Sequence, residues 1–155
     1  MDLVIPGVGS LCLNNVIFDL NGTLAVDGDI PVEVKQRIQD LVKQYRVVIA
    51  SSDLHNRLAL LAAELGVEFH VLHGDEIAPH KAALVRSMGA HQTIAVGNGS
   101  NDWQKLREAA VGIVIVGNEG ASAKAAANAD VLVTDVMDAI DCILNPLRLI
   151  ATLRS

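Results

Sequence analysis

Four short stretches of this 155-residue chain carry residues of the types, and in the order, that phosphoryl transfer through a carboxylate requires. Asp19 ends the apolar run Val16-Ile17-Phe18 and is followed by Leu20-Asn21-Gly22-Thr23. Ser51, Ser52 and Asp53 follow the aliphatic run Arg46-Val47-Val48-Ile49-Ala50. Lys81 stands near the start of a helical stretch, and Gly97-Asn98-Gly99-Ser100-Asn101-Asp102 follows Thr93-Ile94-Ala95-Val96. A carboxylate nucleophile, a hydroxyl, an ammonium and a second acidic cluster are the parts an aspartyl-phosphate route needs. In that reading Asp19 attacks phosphorus. The backbone N–H groups of Leu20 and Gly22, with Ser51 and Ser52, hold the phosphoryl oxygens, and Lys81 offsets the charge of phosphate and carboxylate. Acidic oxygens hold magnesium, a hard cation that takes oxygen ligands. Asp19 alone also admits a plainer reading, an Asx-turn in which its carboxylate bonds only the turn backbone.

The elements that must position these residues follow from the hydrophobic pattern. Short aliphatic runs bounded by turn residues predict strands at about 15–20, 46–50, 67–72, 93–96, 112–116 and 131–133. Between them, apolar residues at helical spacing predict helices: Ile30, Val34, Ile38, Leu41, Val42 and Tyr45 on one face, then Leu54, Leu58, Leu61 and Leu65. Further helices are predicted over 79–88, 102–109, 121–128 and from 136 to the end, the last broken by Pro146. Residues 1–13 read as an apolar lead-in, one edge strand turned at Gly7 and Gly9. Strict alternation of strand and helix predicts an α/β fold, a three-layer, doubly wound, Rossmann-like and mostly parallel sheet within a single domain over 1–155. In such sheets ligands bind past the carboxyl ends of the strands, where Asp19, Ser51 and Asn98 all fall.

Bulk properties narrow the partners. Just over half the residues are apolar and aromatics are scarce, so the core is aliphatic. A formal net charge of -6 argues against nucleic acid or an anionic membrane as partner. Cys12 and Cys142 have no metal or redox spacing and read as small buried hydrophobes. With no basic leader and no long apolar segment, a cytoplasmic location is expected.

The order Asp19-x-x-Gly22-Thr23, Ser51, Lys81 and Gly97-x-Gly99-x-Asn101-Asp102 resembles the haloacid dehalogenase superfamily, over residues 15 to about 135. Within it the chain is most similar to the phosphorylation domain of P-type ATPases and to their soluble relatives. Ser51-Ser52-Asp53 stands where those have Thr-Gly-Asp, and the Gly97–Asp102 loop where they have Gly-Asp-Gly-x-Asn-Asp. The resemblance implies a magnesium-dependent phosphohydrolase with Asp19, the Asn21 backbone carbonyl, Asn98 and Asp102 around the metal. The stretches after Thr23 and after Asp53 leave no room for a cap domain or a nucleotide-binding insert, which excludes an ATP-driven pump. A small phosphorylated substrate or a phosphoprotein is the implied partner, and capless members often complete the site as homo-oligomers.

Two positions depart from that pattern. Asn21 stands where the family's phosphatases carry a general acid and base. An amide cannot shuttle a proton, and the missing catalysis is typically about 10²–10⁴-fold, so slow turnover is expected. Asn98 replaces a magnesium-binding Asp and brings an oxygen without charge. The alternative is a degenerate phosphate-binding or regulatory module. Both asparagines precede glycine, the context most prone to deamidation, which would restore both acids. His70 and His73 are expected to face opposite sides of a strand, with His55 and His80 nearer the site, and Trp103 either roofs the site or packs.

Overall fold

The computed structural model of the chain describes residues 1–52 and 57–155. Asp53, Leu54 and His55 lie outside the described residues. Among the described residues there are eight strands: β1 (Asp2–Ile5), β2 (Gly9–Cys12), β3 (Asn15–Phe18), β4 (Arg46–Ser51), β5 (Glu68–Val71), β6 (Thr93–Gly97), β7 (Val111–Ile115) and β8 (Val131–Val133). The helices are α1 (Val32–Val42), α2 (Arg57–Leu65), α3 (Ile77–Met88), α4 (Trp103–Glu108), α5 (Ala123–Ala126), α6 (Val136–Leu144) and α7 (Pro146–Leu153). Six strands form one sheet in the order β5-β4-β3-β6-β7-β8, and every pairing in it is parallel.

The lead-in departs from the single edge strand expected. Asp2–Ile5 and Gly9–Cys12 pair antiparallel with each other, outside the main sheet. Leu3 and Ile5 are buried while Val4 and Val8 are exposed, so one face of this hairpin packs on the body and the other does not. Gly7 and Gly9 both hold positive φ, as the tight reversal requires.

Alternation along each central strand divides the core into two layers. Val16 and Phe18 of β3, Val47 and Ile49 of β4, and Ile94 and Val96 of β6 face the layer built with α1, α2, α6 and α7. Ile17, Val48, Ala50 and Ala95 face the opposite layer, with Val85 and Met88 of α3, Leu106 of α4 and Ala125 of α5. Strands covered on both faces read as continuous aliphatic runs, which is how they were visible in the sequence. Between β3 and β4 the chain holds only a short flap and α1. Between β4 and β5 its one described element is α2, so no cap domain is present among the described residues.

One close approach fixes where α4 sits. A Cβ on Gly112 of β7 would lie 2.4 Å from the Leu106 carbonyl oxygen, so only glycine lets the α4 backbone reach the sheet here. Lys105, the neighbour of Leu106, extends its side chain toward the carboxyl end of β6, where Nζ donates to the Val96 carbonyl at 2.8 Å.

Candidate active site

β3 occupies the sheet centre and ends one residue before Asp19, whose N–H donates to the Val96 carbonyl at 3.1 Å. The chain then turns tightly, because the Leu20 carbonyl accepts from the N–H groups of Thr23, Leu24 and Ala25. Gly22 holds φ +75°, and its Cβ would lie 2.4 Å from Nδ2 of Asn98, so neither the backbone nor the neighbouring amide leaves room for a side chain. Residues 26–29 close a small flap through paired bonds between Val26 and Asp29. The flap is tied to the loop after β7 by the Asp27 N–H, which donates to Glu119 Oε1 at 3.1 Å.

Lys81 reaches this turn from the second turn of α3. It has no exposed surface, and Nζ donates to Asp19 Oδ1 at 2.7 Å, Asp102 Oδ1 at 2.8 Å and Asn101 Oδ1 at 3.2 Å. Three acceptors match the three protons of an ammonium. Burial depresses its pKa, but Asp19 and Asp102 outweigh that and hold it above the usual lysine value. Asp19 is 7% exposed. Burial and the Asp102 charge push its pKa up, against the lowering effect of Lys81 and Lys105.

Lys105 is a buried charge beside Asp102 that the sequence reading missed. It too is fully buried, and Nζ contacts Asp102 Oδ1 at 2.8 Å and the Val96 carbonyl at 2.8 Å. Its spacing of three from Asp102 on a nascent helix was the available signal. Burial pulls its pKa below the usual lysine value despite the Asp102 carboxylate.

Asp102, expected among the metal ligands, is fully buried with both oxygens engaged. Its Oδ1 serves both lysines, and its Oδ2 accepts the N–H groups of Asn98 and Gly99 at 3.1 and 3.0 Å. Burial would raise its pKa, but Lys105 and Lys81 bring it down to about 2. A folded-state value below the unfolded 3.8 gives stability that is complete above pH 3.8 and disappears as pH falls toward about 2. The shift corresponds to about 2 kcal/mol. Asp19, with its raised pKa, has the opposite sign and changes stability only above 3.8. Urea unfolding between pH 4 and pH 2 should therefore lose stability on that scale, and a flat profile would show that Asp102 is not so held.

Among the described residues no three His, Cys, Asp or Glu side chains cluster as a metal site. The remaining oxygen donors of the expected set are the Asp19 carboxylate, the Asn21 carbonyl and the Asn98 amide. Asn21 is exposed. Asn98 is held in place by a bond from Thr23 Oγ1 to Oδ1 at 3.3 Å and from Nδ2 to the Gly120 carbonyl at 3.1 Å. One carboxylate with neutral oxygens has the right chemistry for magnesium, which keeps several waters and is often completed by substrate phosphate. It brings little charge.

Ser51 is buried at the carboxyl end of β4, the strand beside β3, and Ser52 is exposed one residue on. A cleft of about 200 Å³ adjoins the turn, lined by Leu20, Asn21, Asp29, Lys35, Leu61 and Glu64. Lys35 and Glu64 pair across it at 2.9 Å. Trp103 does not roof this cleft. It lines a separate groove with Ala82, Arg86 and Arg107, and Lys124 lies 4.3 Å over its ring. His70, His73 and His80 are exposed, and Cys12 is exposed rather than buried because β2 has an open face. Both glycines that follow the asparagines have engaged nitrogens: Gly22 N–H donates to the Ala25 carbonyl and Gly99 N–H to Asp102. Cyclisation onto either nitrogen would have to break that bond, which argues against the deamidation idea.

No family model matches the chain. It is 48% identical over 61 residues to an uncharacterised protein of Methanocaldococcus jannaschii, a match covering 39% of this chain and 66% of that protein. It is 28% identical over 139 residues to a soluble P-type ATPase-like phosphatase of the same organism, covering 87% of this chain and 51% of the other. The chain thus spans between about half and two thirds of the length of these curated relatives. Among solved structures it superposes on 3-deoxy-D-manno-octulosonate 8-phosphate phosphatase from Moraxella catarrhalis, solved with magnesium, phosphate and the KDO molecule. The TM-score is 0.70 at 20% identity, covering 92% of this chain and 94% of that one.

Proposed function

We propose that this chain, whose fold is that of the haloacid dehalogenase superfamily, is a phosphohydrolase that works through an aspartyl-phosphate on Asp19. The observation that carries the reading is the buried Asp19 carboxylate at the end of the central strand, with the Lys81 ammonium 2.7 Å from Oδ1. A carboxylate used only as a turn cap would not need a lysine brought from 62 residues away.

In this reading Lys81 orients the carboxylate, and Asp19 attacks the phosphorus of a phosphate monoester. The bond from phosphorus to the ester oxygen breaks and the leaving group departs with its electron pair. Water then attacks the acyl phosphate, the bond from phosphorus to the Asp19 oxygen breaks, and the free carboxylate returns. The N–H groups of Leu20 and Gly22, with Ser51 and Ser52, orient the phosphoryl oxygens, although the Gly22 N–H must first leave the Ala25 carbonyl. Asp19, the Asn21 carbonyl and Asn98 would hold magnesium, which when bound supplies positive charge beside the phosphoryl oxygens. Asp102 acts as the anchor of the lysines. The cleft beside Asn21 receives the leaving group, and its size suits a small phosphorylated substrate.

The phosphatase identity of the M. jannaschii relative supports this reading over a larger share of the chain than any single motif. No helix among the described residues is long and apolar enough to cross a membrane. The exposed amide at Asn21 favours a second reading, a phosphate-binding or regulatory module without turnover.

Aryl phosphate hydrolysis in magnesium separates the two. Wild type should turn over slowly, and Asp19→Asn should fall by at least about 10³-fold, the scale of losing a nucleophile. No wild-type turnover alongside intact phosphate binding would establish the module instead.

A further inference from the structure

β5 is one edge of the sheet, and among the described residues no element pairs with its outer side. Glu68, Phe69 and His70 are all exposed, Phe69 by 41%. Open edges are ordinarily blunted by lysine, proline or a bulge. β5 carries no lysine or proline, pairs with β4 without a break, and has its one carboxylate matched by Arg46, which donates to both Glu68 oxygens at 2.7 Å. The backbone is directed for a further strand. The Leu72 N–H donates to the Ser51 carbonyl of β4 at 2.9 Å. Alternation then turns the backbone groups of Glu68, His70 and Leu72 toward β4, and those of Phe69 and Val71 outward. The side chains alternate as well. Phe69 stands beside Ile49 on the α2 face, with Val67 and Val71, whereas Glu68 and His70 stand beside Val48 and Ala50 on the α3 face.

We propose that β5 pairs antiparallel with β5 of a second copy of this chain, about a two-fold axis through Phe69, so that two six-stranded sheets become one. A two-fold interface must be self-complementary, and this strand is. In that register Phe69 meets its own copy and Val67 meets the partner's Val71, all on the α2 face. On the α3 face Glu68 meets the partner's His70, whose imidazole N–H can donate to the carboxylate. Centring the axis on His70 would set that residue against itself and Glu68 against Leu72, and the match is lost. α2 extends the same surface. Leu61 and Glu64 line the cleft on one flank of α2, so the helical period puts Ala59 and Ala63 on the other flank, toward the β5 edge, and both are exposed. Their short side chains let the two copies of α2 approach above the paired strands. A four-residue strand is a small contact, so the dimer belongs to the weak class that buries less than about 1,200 Å². The pairing is independent of turnover at Asp19.

Sedimentation equilibrium from about 1 to about 300 µM tests this, and wild type should fit a monomer–dimer equilibrium with Kd on the order of 10 µM. Phe69→Lys changes an exposed side chain and sets two ammonium groups together on the axis, so Kd should rise at least about tenfold. Val71→Pro removes an outward N–H while leaving the bonds to β4 in place, and should do the same. His70→Glu opposes carboxylates at both ends and should weaken the dimer, whereas the exchange Glu68→His/His70→Glu restores the facing pairs and should return Kd to within about threefold of wild type. Thermal melting shows which variants are folded, and any folded one is decisive. A wild type that stays monomeric throughout would overturn the proposal, as would assembly beyond a dimer. So would a dimer indifferent to Phe69→Lys or Val71→Pro, which must lie on another surface, and an exchange variant no tighter than His70→Glu.

Discussion

Lys81→Met is expected to lower stability by about 3–5 kcal/mol, the usual loss when one partner of a buried ion pair is removed. For a chain of this length each kcal/mol moves Tm by about 2–4 °C, so calorimetry should show a fall of roughly 6–20 °C. The physical reason is the arithmetic of the site. The variant leaves Asp19 and Asp102 with only Lys105 between them, and Asp19 makes no direct bond to Lys105. Hydrolysis should fall by at least about 10²-fold, the scale of losing one group that stabilises developing charge. Because Lys81 has no exposed surface, Lys81→Arg should not rescue either quantity, since the planar guanidinium is larger and has nowhere to go. A Tm within 3 °C of wild type would mean that the lysine does not hold these carboxylates together.

Gly97→Ala should do large damage with a single methyl group near the site. Gly97 is the last residue of β6, and its Cβ would lie 2.5 Å from Cγ, 2.6 Å from Oδ2 and 2.8 Å from Cβ of Asp102. Asp102 cannot retreat, for it is fully buried and bonded on both oxygens. Overpacking of this kind typically destabilises by about 1–3 kcal/mol. Here the displaced group is the anchor of both lysines, so turnover should fall by more than tenfold, or about 1.4 kcal/mol in the barrier. Gly99→Ala is the matched control. Its nearest contact is Asn101 Oδ1 at 3.1 Å, the far end of a side chain that can shift, and its φ of −89° suits any residue. Equal behaviour of the two variants in Tm and kcat would show that the close approach at Gly97 is unimportant.

The layered architecture and most strand positions were legible because parallel strands covered on both faces print as aliphatic runs, and because turn residues mark where each ends. Asp19 was legible for a related reason, since a charged residue at the end of such a run has little structural excuse, whereas Lys81 was legible only from its place in the order of the four stretches. Lys105 was not. On a short helix a lysine ordinarily faces water, and nothing in one chain's pattern says that α4 lies against the sheet at Gly112 and carries that side chain inward. Asp102 was noticed, but its two lysine partners were not, since spacing shows that an acid is near a site without showing which cations pair with it. The β1–β2 hairpin escaped because Gly7 and Gly9 were read as bends within one strand, and its open face is also why Cys12 meets solvent.

The strand order sorts these charges by parentage. Asp19 issues from the portion that winds outward through β4 to β5, whereas Lys81, Asp102 and Lys105 all come from the portion that winds outward through β6 to β8. A chain severed between β5 and α3 would give one fragment with an interior charge of −1 and another with +1. Each would lack what the other holds, so recombination would be favoured electrostatically as well as by the hydrophobic junction between β3 and β6.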